Sequence, residues 1–398
     1  MKNYNNKFLT YCPDDVKKIL LQSNISFINT NFLAPEVVLD FSDSDFSFKR
    51  IVWSSAQGSA KGGLRIKYRG ATSTSALKSL ALLLSLKSAL FELPYGGSAG
   101  EIFIKSKKNV VIILQKCISI WLSAGFADKD ILSPDLGLSK NEIGIIHDYL
   151  KTYIDNPGSL LNGKPENLNG CIGREYATSV GTSEVINFFL KKIDAFPKIG
   201  NVSFFGFGQA SRPLYDFFKN MGYKITAISN SKGLFFSESG INLNSSKNNL
   251  SDFLVSPDPY DITKIKCDFF IAGFKEKSLC ADDIFDLEPK VFVEIANNPL
   301  FFKKISIDNF DTKIFRLPGL LTNAGGLIAS HYENLLLFDS KNKNTEKSLF
   351  EFISKIVTNK CDEVYEYSTS KKLNIVESVY SIALNNLLTK INNANPQN

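Results

Sequence analysis

Two lysines lie in sequence surroundings that predict a site for a negatively charged ligand. Lys87 falls inside the stretch 76–91, which has apolar residues at nearly every turn and no Gly or Pro, so the pattern predicts a largely buried helix. An unpaired ammonium there is costly, which favours a functional role over a solvated surface lysine. Lys61 is followed by Gly62 and Gly63, and glycines let the backbone approach a ligand closely. Together the two cations could fix a carboxylate.

Asp135 offers a group that can carry a proton, but its neighbours give it a second interpretation. It follows Ser133 and Pro134, and an aspartate in that position is typical of a turn or a helix cap. On residue type alone we favour the turn.

One segment fits the glycine-rich loop that binds a dinucleotide. Its residues are Gly206, Phe207, Gly208, Gln209, Ala210 and Ser211. It follows a predicted strand at 201–205 and opens a predicted helix that ends at residue 221. In such loops the first glycine makes the tight turn, the second admits the pyrophosphate, and a third small residue lets helix and strand pack closely. The setting predicts NAD or NADP, with a plain tight turn as the alternative.

Asn230 bears on the choice between the two cofactors. It stands 22 residues after Gly208, about where an acidic residue binds the adenosine ribose in NAD-binding folds. An aspartate would repel a 2′-phosphate, whereas an asparagine does not, and Ser229, Ser231 and Lys232 flank it. The residues therefore lean toward NADP or dual use, with a simple loop asparagine as an equal alternative.

The elements that must position these residues predict an α/β protein. Strands are predicted at 101–104, 201–205, 223–229, 268–272 and 291–295. Helices are predicted at 76–91, 110–124 and 174–191, and residues 322–390 are predicted to be mainly helical. Strands that alternate with helices indicate a parallel sheet with crossover helices. The chain has 398 residues, enough for two or three domains, and the turn-rich stretch 155–169 is the candidate connection.

Composition excludes several classes of function. The net charge is +6 without a basic run, which disfavours a nucleic-acid partner. The six cysteines include no Cys-x-x-Cys pair and there are only two histidines, so no metal site is expected and the thiols are predicted to be reduced. The N-terminus lacks the apolar core of a signal peptide, and the apolar stretch 80–93 is too short to span a bilayer. We therefore expect a cytoplasmic protein with no membrane partner.

A series of segments, in matching order and spacing from about residue 50 to 335, resembles the Glu/Leu/Phe/Val amino-acid dehydrogenases, most of all their glutamate dehydrogenase branch. The segments are Lys61–Arg65, Lys87–Leu90, Leu93–Gly100, Asp130–Gly137, Gly173–Thr178, the Gly206 loop, Val293–Pro299 and Asn323–Glu333. Many ordered matches are far more specific than any one motif.

The resemblance implies a fold with two domains. Residues 1–165 and 331–398 would form a substrate-binding and oligomerisation domain with a mixed sheet. Residues 166–330 would form a Rossmann-like, parallel-sheet domain for NAD or NADP. The implied function is that of an oxidoreductase acting on a small amino or imino acid, and the protein would form a homo-oligomer.

Roles on the substrate side come from the resemblance, position by position. Lys61 matches a lysine that binds a substrate carboxylate. Ser330 matches a serine that helps to bind the side-chain carboxylate. Lys87 matches the lysine that holds the α-carboxylate. Asp135 matches the aspartate that shuttles protons at the amine.

Roles on the cofactor side are implied in the same way. Thr178 matches a threonine near the nicotinamide amide, with Arg174 nearby. Asn323 matches an asparagine on the cofactor side of the cleft, and Asn297 is predicted to belong to the cofactor site as well. Gly206, Gly208, Gln209, Ala210, Ser211 and Asn230 complete the predicted cofactor site.

The resemblance breaks at the residue that carries the chemistry. The family places its catalytic lysine in the loop after two glycines, twelve residues beyond the α-carboxylate lysine. Here that position is Ala99, and Glu101 stands where the family has a glycine. The lysine polarises the carbonyl and assists water attack on the imine, and loss of such a group costs about 10²–10⁴-fold. Ordinary oxidative deamination is therefore predicted to be severely impaired.

Three explanations of Ala99 remain open. The protein could reduce a preformed imine, which needs no carbonyl activation. Another residue, such as Ser98, Glu101 or Lys105, could replace the lysine, although Glu101 in a strand would point elsewhere. The chain could be a non-catalytic binding or regulatory protein, although such a protein would be expected to lose Lys61, Lys87 and Asp135 as well.

Overall fold

The structure is a computed structural model that describes residues 6–22, 30–105, 109–194, 196–243, 249–338 and 343–394. Its strands are β1 Val37–Ser42, β2 Phe46–Ser54, β3 Ala60–Lys67, β4 Gly96–Ile104, β5 Asp130–Pro134, β6 Asn201–Phe205, β7 Lys224–Asn230, β8 Gly233–Phe236, β9 Leu254–Ser256, β10 Phe269–Ala272, β11 Leu279–Cys280, β12 Val291–Glu294, β13 Leu300–Phe301 and β14 Phe315–Leu317.

The α-helices follow the same chain order. They are α1 Asn6–Leu9, α2 Asp14–Gln22, α3 Thr74–Leu90, α4 Val110–Ser123, α5 Lys140–Leu150, α6 Ala177–Lys192, α7 Arg212–Asn220, α8 Ala281–Leu287, α9 Ile307–Lys313, α10 Gly319–Thr322, α11 Gly325–Phe338, α12 Glu346–Lys371 and α13 Ile375–Ala394. Short 3₁₀ turns, including Pro157–Leu160 and Glu166–Leu168, occupy the turn-rich stretch 155–169.

The chain divides into two compact units. The first unit comprises residues 1–174, 327–349 and 380–398, and the second comprises residues 175–326 and 350–379. The predicted first domain included all of residues 331–398. In the structure, residues 350–379 group by their contacts with the second unit.

The first unit contains a mixed sheet in the order β1-β2-β4-β3-β5. The β1–β2 and β2–β4 pairs are antiparallel, and β3 pairs in parallel with β4 and β5. Because side chains alternate along a strand, even-numbered residues such as Phe48, Leu64 and Ile102 share one face. They form a buried core with Trp121 of α4 and residues of α5, and we call this the α4 face.

The opposite face of the same sheet carries odd-numbered residues and packs against α3. A Cβ on Gly97 of β4 would lie 2.1 Å from the Ser85 nitrogen and 2.4 Å from the Ala81 carbonyl oxygen, both in α3. We call this the α3 face. Helix α3 confirms the helix predicted at 76–91, and its N-terminus is capped by the Ser73 side chain, which accepts from the Ala76 N–H.

The glycines of the segment 96–100 lie inside strand β4. The sequence pattern had indicated a turn or loop there. Their lack of a side chain serves close packing. A Cβ on Gly96 would sit 1.7 Å from the Ser54 carbonyl oxygen of β2, and one on Gly97 would collide with α3. The sequence pattern of paired glycines after a proline is also typical of turns, so the strand start at Gly96 was not predicted.

The second unit contains a sheet in the order β14-β12-β10-β6-β7-β8-β9. Strands β6, β7, β10, β12 and β14 pair in parallel, and β8 and β9 add antiparallel pairs beyond β7. The strand predicted at 201–205 is β6, with the same bounds. The fold is thus the predicted α/β fold, with a mixed-sheet unit and a Rossmann-like unit. Among the described residues, no helix has both the length and the apolar character needed to cross a membrane.

Candidate functional site

The α3 face of the first unit brings the predicted substrate-side residues to one surface. Lys61 on β3 pairs in register with Gly97 on β4, and alternation places Lys61, Gly63 and Ala99 on this face. Lys87 lies buried in the last turn of α3, which covers the face. Asp135 follows β5 and packs over Gly63, where an added Cβ would lie 2.6 Å from the Asp135 Cβ.

Lys61 is almost fully buried, with 1% of its surface exposed. Its Nζ donates to the backbone carbonyl of Ser330 at 3.1 Å and lies 3.6 Å from the centroid of the Tyr95 ring. Burial is the main cause that holds the pKa of Lys61 well below its usual value; the nearby Arg174 and Lys164 cations lower it further, and Glu333 opposes them. The contact that ties Ser330 to Lys61 is therefore a main-chain one.

The carboxylate of Asp135 makes one local contact and one contact with a cation. Its Oδ1 accepts from the Leu136 N–H at 2.8 Å, which is a local turn contact. Its Oδ2 accepts from Arg65 Nε at 2.7 Å. The Asp135 side chain keeps 29% of its surface exposed, so the carboxylate is oriented by a cation while it remains accessible.

Glu333 and Lys164 are site residues that the sequence did not single out. The Lys164 Nζ lies 2.5 Å from Glu333 Oε1, with both side chains fully buried. Glu333 Oε2 accepts from the Gly163 N–H at 2.9 Å and lies 3.8 Å from Arg174 Nη1. That Nη1 is buried and has no hydrogen-bond partner among the described residues. With Lys61 alongside, three cations face one carboxylate, an excess of positive charge that fits an anionic ligand.

The sequence contained only a weak indication of this cluster. Glu333 closes the last family-like segment and Lys164 lies in the turn-rich stretch, but 169 residues separate them. Spacing along the chain therefore could not pair them.

Ala99 is fully buried in β4, and the three side chains considered as replacements for a lysine there are engaged elsewhere. Ser98 lies on the α4 face, where its Oγ donates to Asp130 Oδ1 at 2.6 Å and accepts from Arg50 Nη2 at 2.7 Å. Glu101 accepts from the Thr72 N–H at 2.7 Å and from the Thr72 hydroxyl. Lys105 follows the end of β4 and donates to the Asp43 carbonyl oxygen at 3.3 Å.

The Gly206 loop of the second unit is sterically consistent with the glycine-rich fingerprint. Gly206 has φ +91°, and a Cβ there would lie 2.6 Å from the Phe274 backbone, so the position requires glycine. A Cβ on Gly208 would meet nothing within 4 Å, which leaves open space at the exposed turn. Ser211 is buried before α7, where a Cβ on Gly273 would lie 2.2 Å from its Oγ. A small residue there allows close packing, as the fingerprint requires.

Neighbouring residues hold this loop and shape its edge. The Ser179 hydroxyl donates to the Ala210 carbonyl oxygen at 2.9 Å, and Gln209 is exposed. Asn230 ends β7, and its Oδ1 accepts from the Lys232 N–H at 2.8 Å. The Asn230 amide oxygen therefore stabilises the local turn, and the Nδ2 group is the part of this side chain that could donate to a ligand. The same turn places Lys232 at an exposed hairpin tip.

Three more predicted cofactor residues cluster in the second unit. Asn323 Nδ2 donates to the Ile295 carbonyl oxygen at 2.8 Å and to Asn297 Oδ1 at 3.0 Å. A Cβ on Gly326 would lie 3.4 Å from the Thr178 hydroxyl oxygen. Arg174, which was predicted with this group, is placed in the first unit beside Glu333.

Two family profiles match this chain. The profile of the family "Glutamate/Leucine/Phenylalanine/Valine dehydrogenase" matches residues 170–394. The profile "Glu/Leu/Phe/Val dehydrogenase, dimerisation domain" matches residues 44–152.

The similar curated proteins are glutamate dehydrogenases. The mitochondrial glutamate dehydrogenase of Dictyostelium discoideum is 27% identical over 76% of this chain and 67% of its own length. The NADP-specific glutamate dehydrogenase of Synechocystis is 25% identical over 85% of this chain and 83% of its own. An NAD-specific glutamate dehydrogenase of Bacillus subtilis is 24% identical over 85% of this chain and 82% of its own length.

Solved structures share the fold. A hetero-hexameric glutamate dehydrogenase from Thermus thermophilus superposes with a TM-score of 0.80 at 20% identity, over 95% of this chain and 94% of that one. Plasmodium falciparum glutamate dehydrogenase superposes with a TM-score of 0.75 at 18% identity, over 98% of this chain and 96% of that one. The chain belongs to the glutamate, leucine, phenylalanine and valine dehydrogenase family, whose members are oxidoreductases that act on CH–NH₂ groups with NAD or NADP.

Proposed function

We propose that this protein is an NAD(P)-dependent oxidoreductase that reduces a preformed imine of an acidic amino acid, by a variant mechanism without the usual catalytic lysine. One observation carries the proposal. Lys61, Lys87 and Asp135 share the α3 face, while the position expected to hold the lysine is the buried Ala99. The residues proposed to bind the substrate and to carry the proton are retained, whereas the position proposed to hold the carbonyl activator is an alanine.

The proposed chemistry assigns each residue a separate task. Lys87 binds the α-carboxylate of the substrate, and Lys61 binds a second carboxylate with the assistance of Ser330. Asp135, oriented by Arg65, holds the proton that the imine nitrogen takes up as the C=N bond becomes a C–N bond. The Gly206 loop would hold NADH or NADPH, which when bound would supply the hydride that the imine carbon receives. The overall balance is one imine, one reduced cofactor and one proton to one amine and one oxidised cofactor.

A preformed imine is favoured because reduction of a 2-oxo acid with ammonia needs more than hydride transfer. The carbonyl must be polarised, and the tetrahedral adduct must lose water with general acid help. Ser98 and Glu101, the nearest candidates, are committed to Arg50, Asp130 and Thr72. Hydride transfer to an existing C=N bond requires only binding, orientation and one proton.

The site also supports a preference for NADPH over NADH. Asn230 brings no negative charge to the end of β7, and its turn places Lys232 at the exposed tip. A neutral amide donor beside a lysine suits a 2′-phosphate better than an aspartate would. Titration of each cofactor, followed by nicotinamide fluorescence, tests this preference.

The proposed assembly is a homo-oligomer. The region matched by the dimerisation profile includes α4, where Val111 and Ile112 are 45% and 51% exposed. Exposed apolar side chains on one helix fit a subunit contact. Sedimentation velocity of the purified protein measures the state directly.

A second candidate is a non-catalytic subunit. The Thermus thermophilus structure is a hetero-hexamer solved in a Leu-bound form, and Ala99 would suit a chain that binds an amino acid without turning it over. Failure of the folded protein to bind either nicotinamide cofactor would move this candidate to first place.

The deciding experiment measures cofactor oxidation with two kinds of substrate. We expect turnover with cyclic imino acids that carry carboxylates, and at least about 10²-fold slower turnover with 2-oxoglutarate plus ammonia. A99K is expected to raise the ammonia-dependent rate, whereas A99M, of similar length without the amine, is not. Ammonia-dependent turnover by the unaltered protein at a common enzymatic rate of about 10 s⁻¹ would refute the variant mechanism.

Asp135 is tested in the same assay. D135N should lower imine turnover about 10²-fold because the amide cannot deliver the proton. The control is D148N, which changes an aspartate of the same unit whose side chain is 72% exposed.

A further inference from the structure

A chain of polar side chains in the first unit leads to the aromatic ring that contacts Lys61. Asn162 Nδ2 donates to Asn334 Oδ1 at 2.6 Å, and Asn334 Nδ2 donates to the Tyr95 hydroxyl at 3.1 Å. The Tyr95 hydroxyl lies 3.0 Å from His331 Nδ1. We call these four residues the Tyr95 relay.

The Tyr95 hydroxyl has one proton to donate. Its oxygen accepts from Asn334, and the proton is donated to His331 Nδ1 in the imidazole tautomer that leaves this nitrogen unprotonated. Burial, with the Lys61 charge adding to it, lowers the pKa of His331 to about 4, so the imidazole is neutral at pH 7. The relay is therefore uncharged at pH 7.

The relay ends on the ring that contacts Lys61. The Lys61 Nζ lies 3.6 Å from the Tyr95 centroid, the distance of a cation–π contact. Asn334 and His331 hold the ring at its hydroxyl, and the two rings of Tyr95 and His331 meet edge to face at 5.6 Å. The ammonium thus has a fixed aromatic wall on one side and the Ser330 carbonyl on another.

We infer that Tyr95 is a positioning residue for Lys61: its ring stabilises the buried ammonium, the relay fixes the ring, and together they select ligands that carry a second carboxylate. This inference rests on the proposed function for the role of Lys61. It adds Tyr95 and His331 as determinants of specificity. Burial and the Arg174 and Lys164 charges disfavour the ammonium, so a stabilising wall is what keeps a carboxylate-binding charge in place.

The test compares two ligands that differ in one carboxylate. Binding of 2-oxoglutarate and of 2-oxopentanoate is measured by calorimetry in the presence of saturating NADPH. We expect the unaltered protein to prefer the dicarboxylate. Y95L removes both ring and hydroxyl and should weaken 2-oxoglutarate binding about tenfold while 2-oxopentanoate binding stays the same. Y95F keeps the ring and should cost about two- to threefold.

A second measurement needs no ligand. The pH titration of the Lys61 Cε resonance, in protein labelled with ¹³C-lysine and assigned by its loss in K61M, reports the pKa of this buried amine. Y95L should move its midpoint to lower pH because the charged form loses the ring, and Y95F should leave it nearly unchanged. The control is Y153L, at a tyrosine of the same unit that is 61% exposed, and it should alter neither measurement.

The two failures are distinguishable. If the unaltered protein binds neither oxo acid, the proposed function fails and the Lys61 titration alone decides the role of Tyr95. Equal binding of both oxo acids, or a Y95L variant that keeps the dicarboxylate preference and the midpoint of the Lys61 titration, would overturn the inference.

Discussion

The two faces of the first unit's sheet both bury charge, and they do so in opposite ways. On the α4 face, Arg50 and Asp130 are both fully buried and paired at 2.7 Å, and Asp130 also accepts from Trp121 Nε1 at 2.9 Å. On the α3 face, Lys61 has a ring and a carbonyl as neighbours, and no described carboxylate lies within ion-pair distance. A charge that the protein itself neutralises supports the fold, whereas a charge left without a counter-ion is available to a ligand.

The largest expected effect comes from breaking the paired face. R50M would leave Asp130 buried without its cation and should reduce the free energy of unfolding by about 3–5 kcal/mol. Urea denaturation followed by circular dichroism measures the loss. K140M removes one partner of an ion pair whose side chains are each 59% exposed, and it should change stability by less than about 0.5 kcal/mol. Equal losses of unfolding free energy in R50M and K140M would contradict the structural role given to the buried Arg50–Asp130 pair.

A smaller effect is expected from crowding the α3 face. A Cβ on Gly63 would lie 2.6 Å from the Asp135 Cβ, so G63A should destabilise the protein by about 1–3 kcal/mol and reduce imine turnover by displacing the carboxylate. The control is G144A in α5, where the nearest atom would be Pro165 Cγ at 3.3 Å. A G63A protein with normal turnover would show that Asp135 does not need its present position.

Removal of the Lys61 charge should affect binding more than folding. K61M should weaken 2-oxoglutarate binding by about tenfold or more, with a free energy of unfolding at pH 7 that is unchanged or slightly higher.

The pH dependence of K61M gives a sharper test. The pKa of Lys61 is lowered in the folded state, whereas a lysine of the unfolded chain has a pKa of about 10.4. Between these two pKa values the unfolded state binds more protons than the folded state. The free energy of unfolding should therefore rise with pH in this window. K61M should lose that rise. A difference between the two proteins that does not depend on pH would show that Lys61 titrates normally.

The smallest predicted effect concerns His331. Its pKa is lowered to about 4 in the folded state, so the unfolded state binds more protons as pH falls below about 6.5, and stability should decrease toward pH 4. The expected contribution is on the order of 1 kcal/mol, since the imidazole is only partly buried. H331F should flatten this part of the denaturation profile, and an unchanged slope would argue against a neutral His331.

The elements of this fold were largely predictable from local patterns. The buried helix α3 and the strand β6 have clear periodicity and clear end residues, and both were predicted. The start of β4 was not, because Gly96 and Gly97 are typical turn residues and only the proximity of Ser54 and α3 explains them.

The site was predictable only where the residues lie in recognisable segments. Lys61, Lys87 and Asp135 were singled out by burial patterns and by resemblance. Glu333, Lys164 and the Tyr95 relay were not, since their partners are brought together by folding across more than 150 residues. Pairing across such separations leaves no periodic pattern in one sequence.

The hydrogen bond from Trp121 to Asp130 has a practical consequence for spectroscopy. The chain has two tryptophans, Trp53 and Trp121, and both are fully buried in the first unit. Their emission, selectively excited at long wavelength, therefore reports on that unit alone, and the second unit is silent. A mismatch between this emission and the far-ultraviolet signal during denaturation would reveal that the two units melt in separate steps.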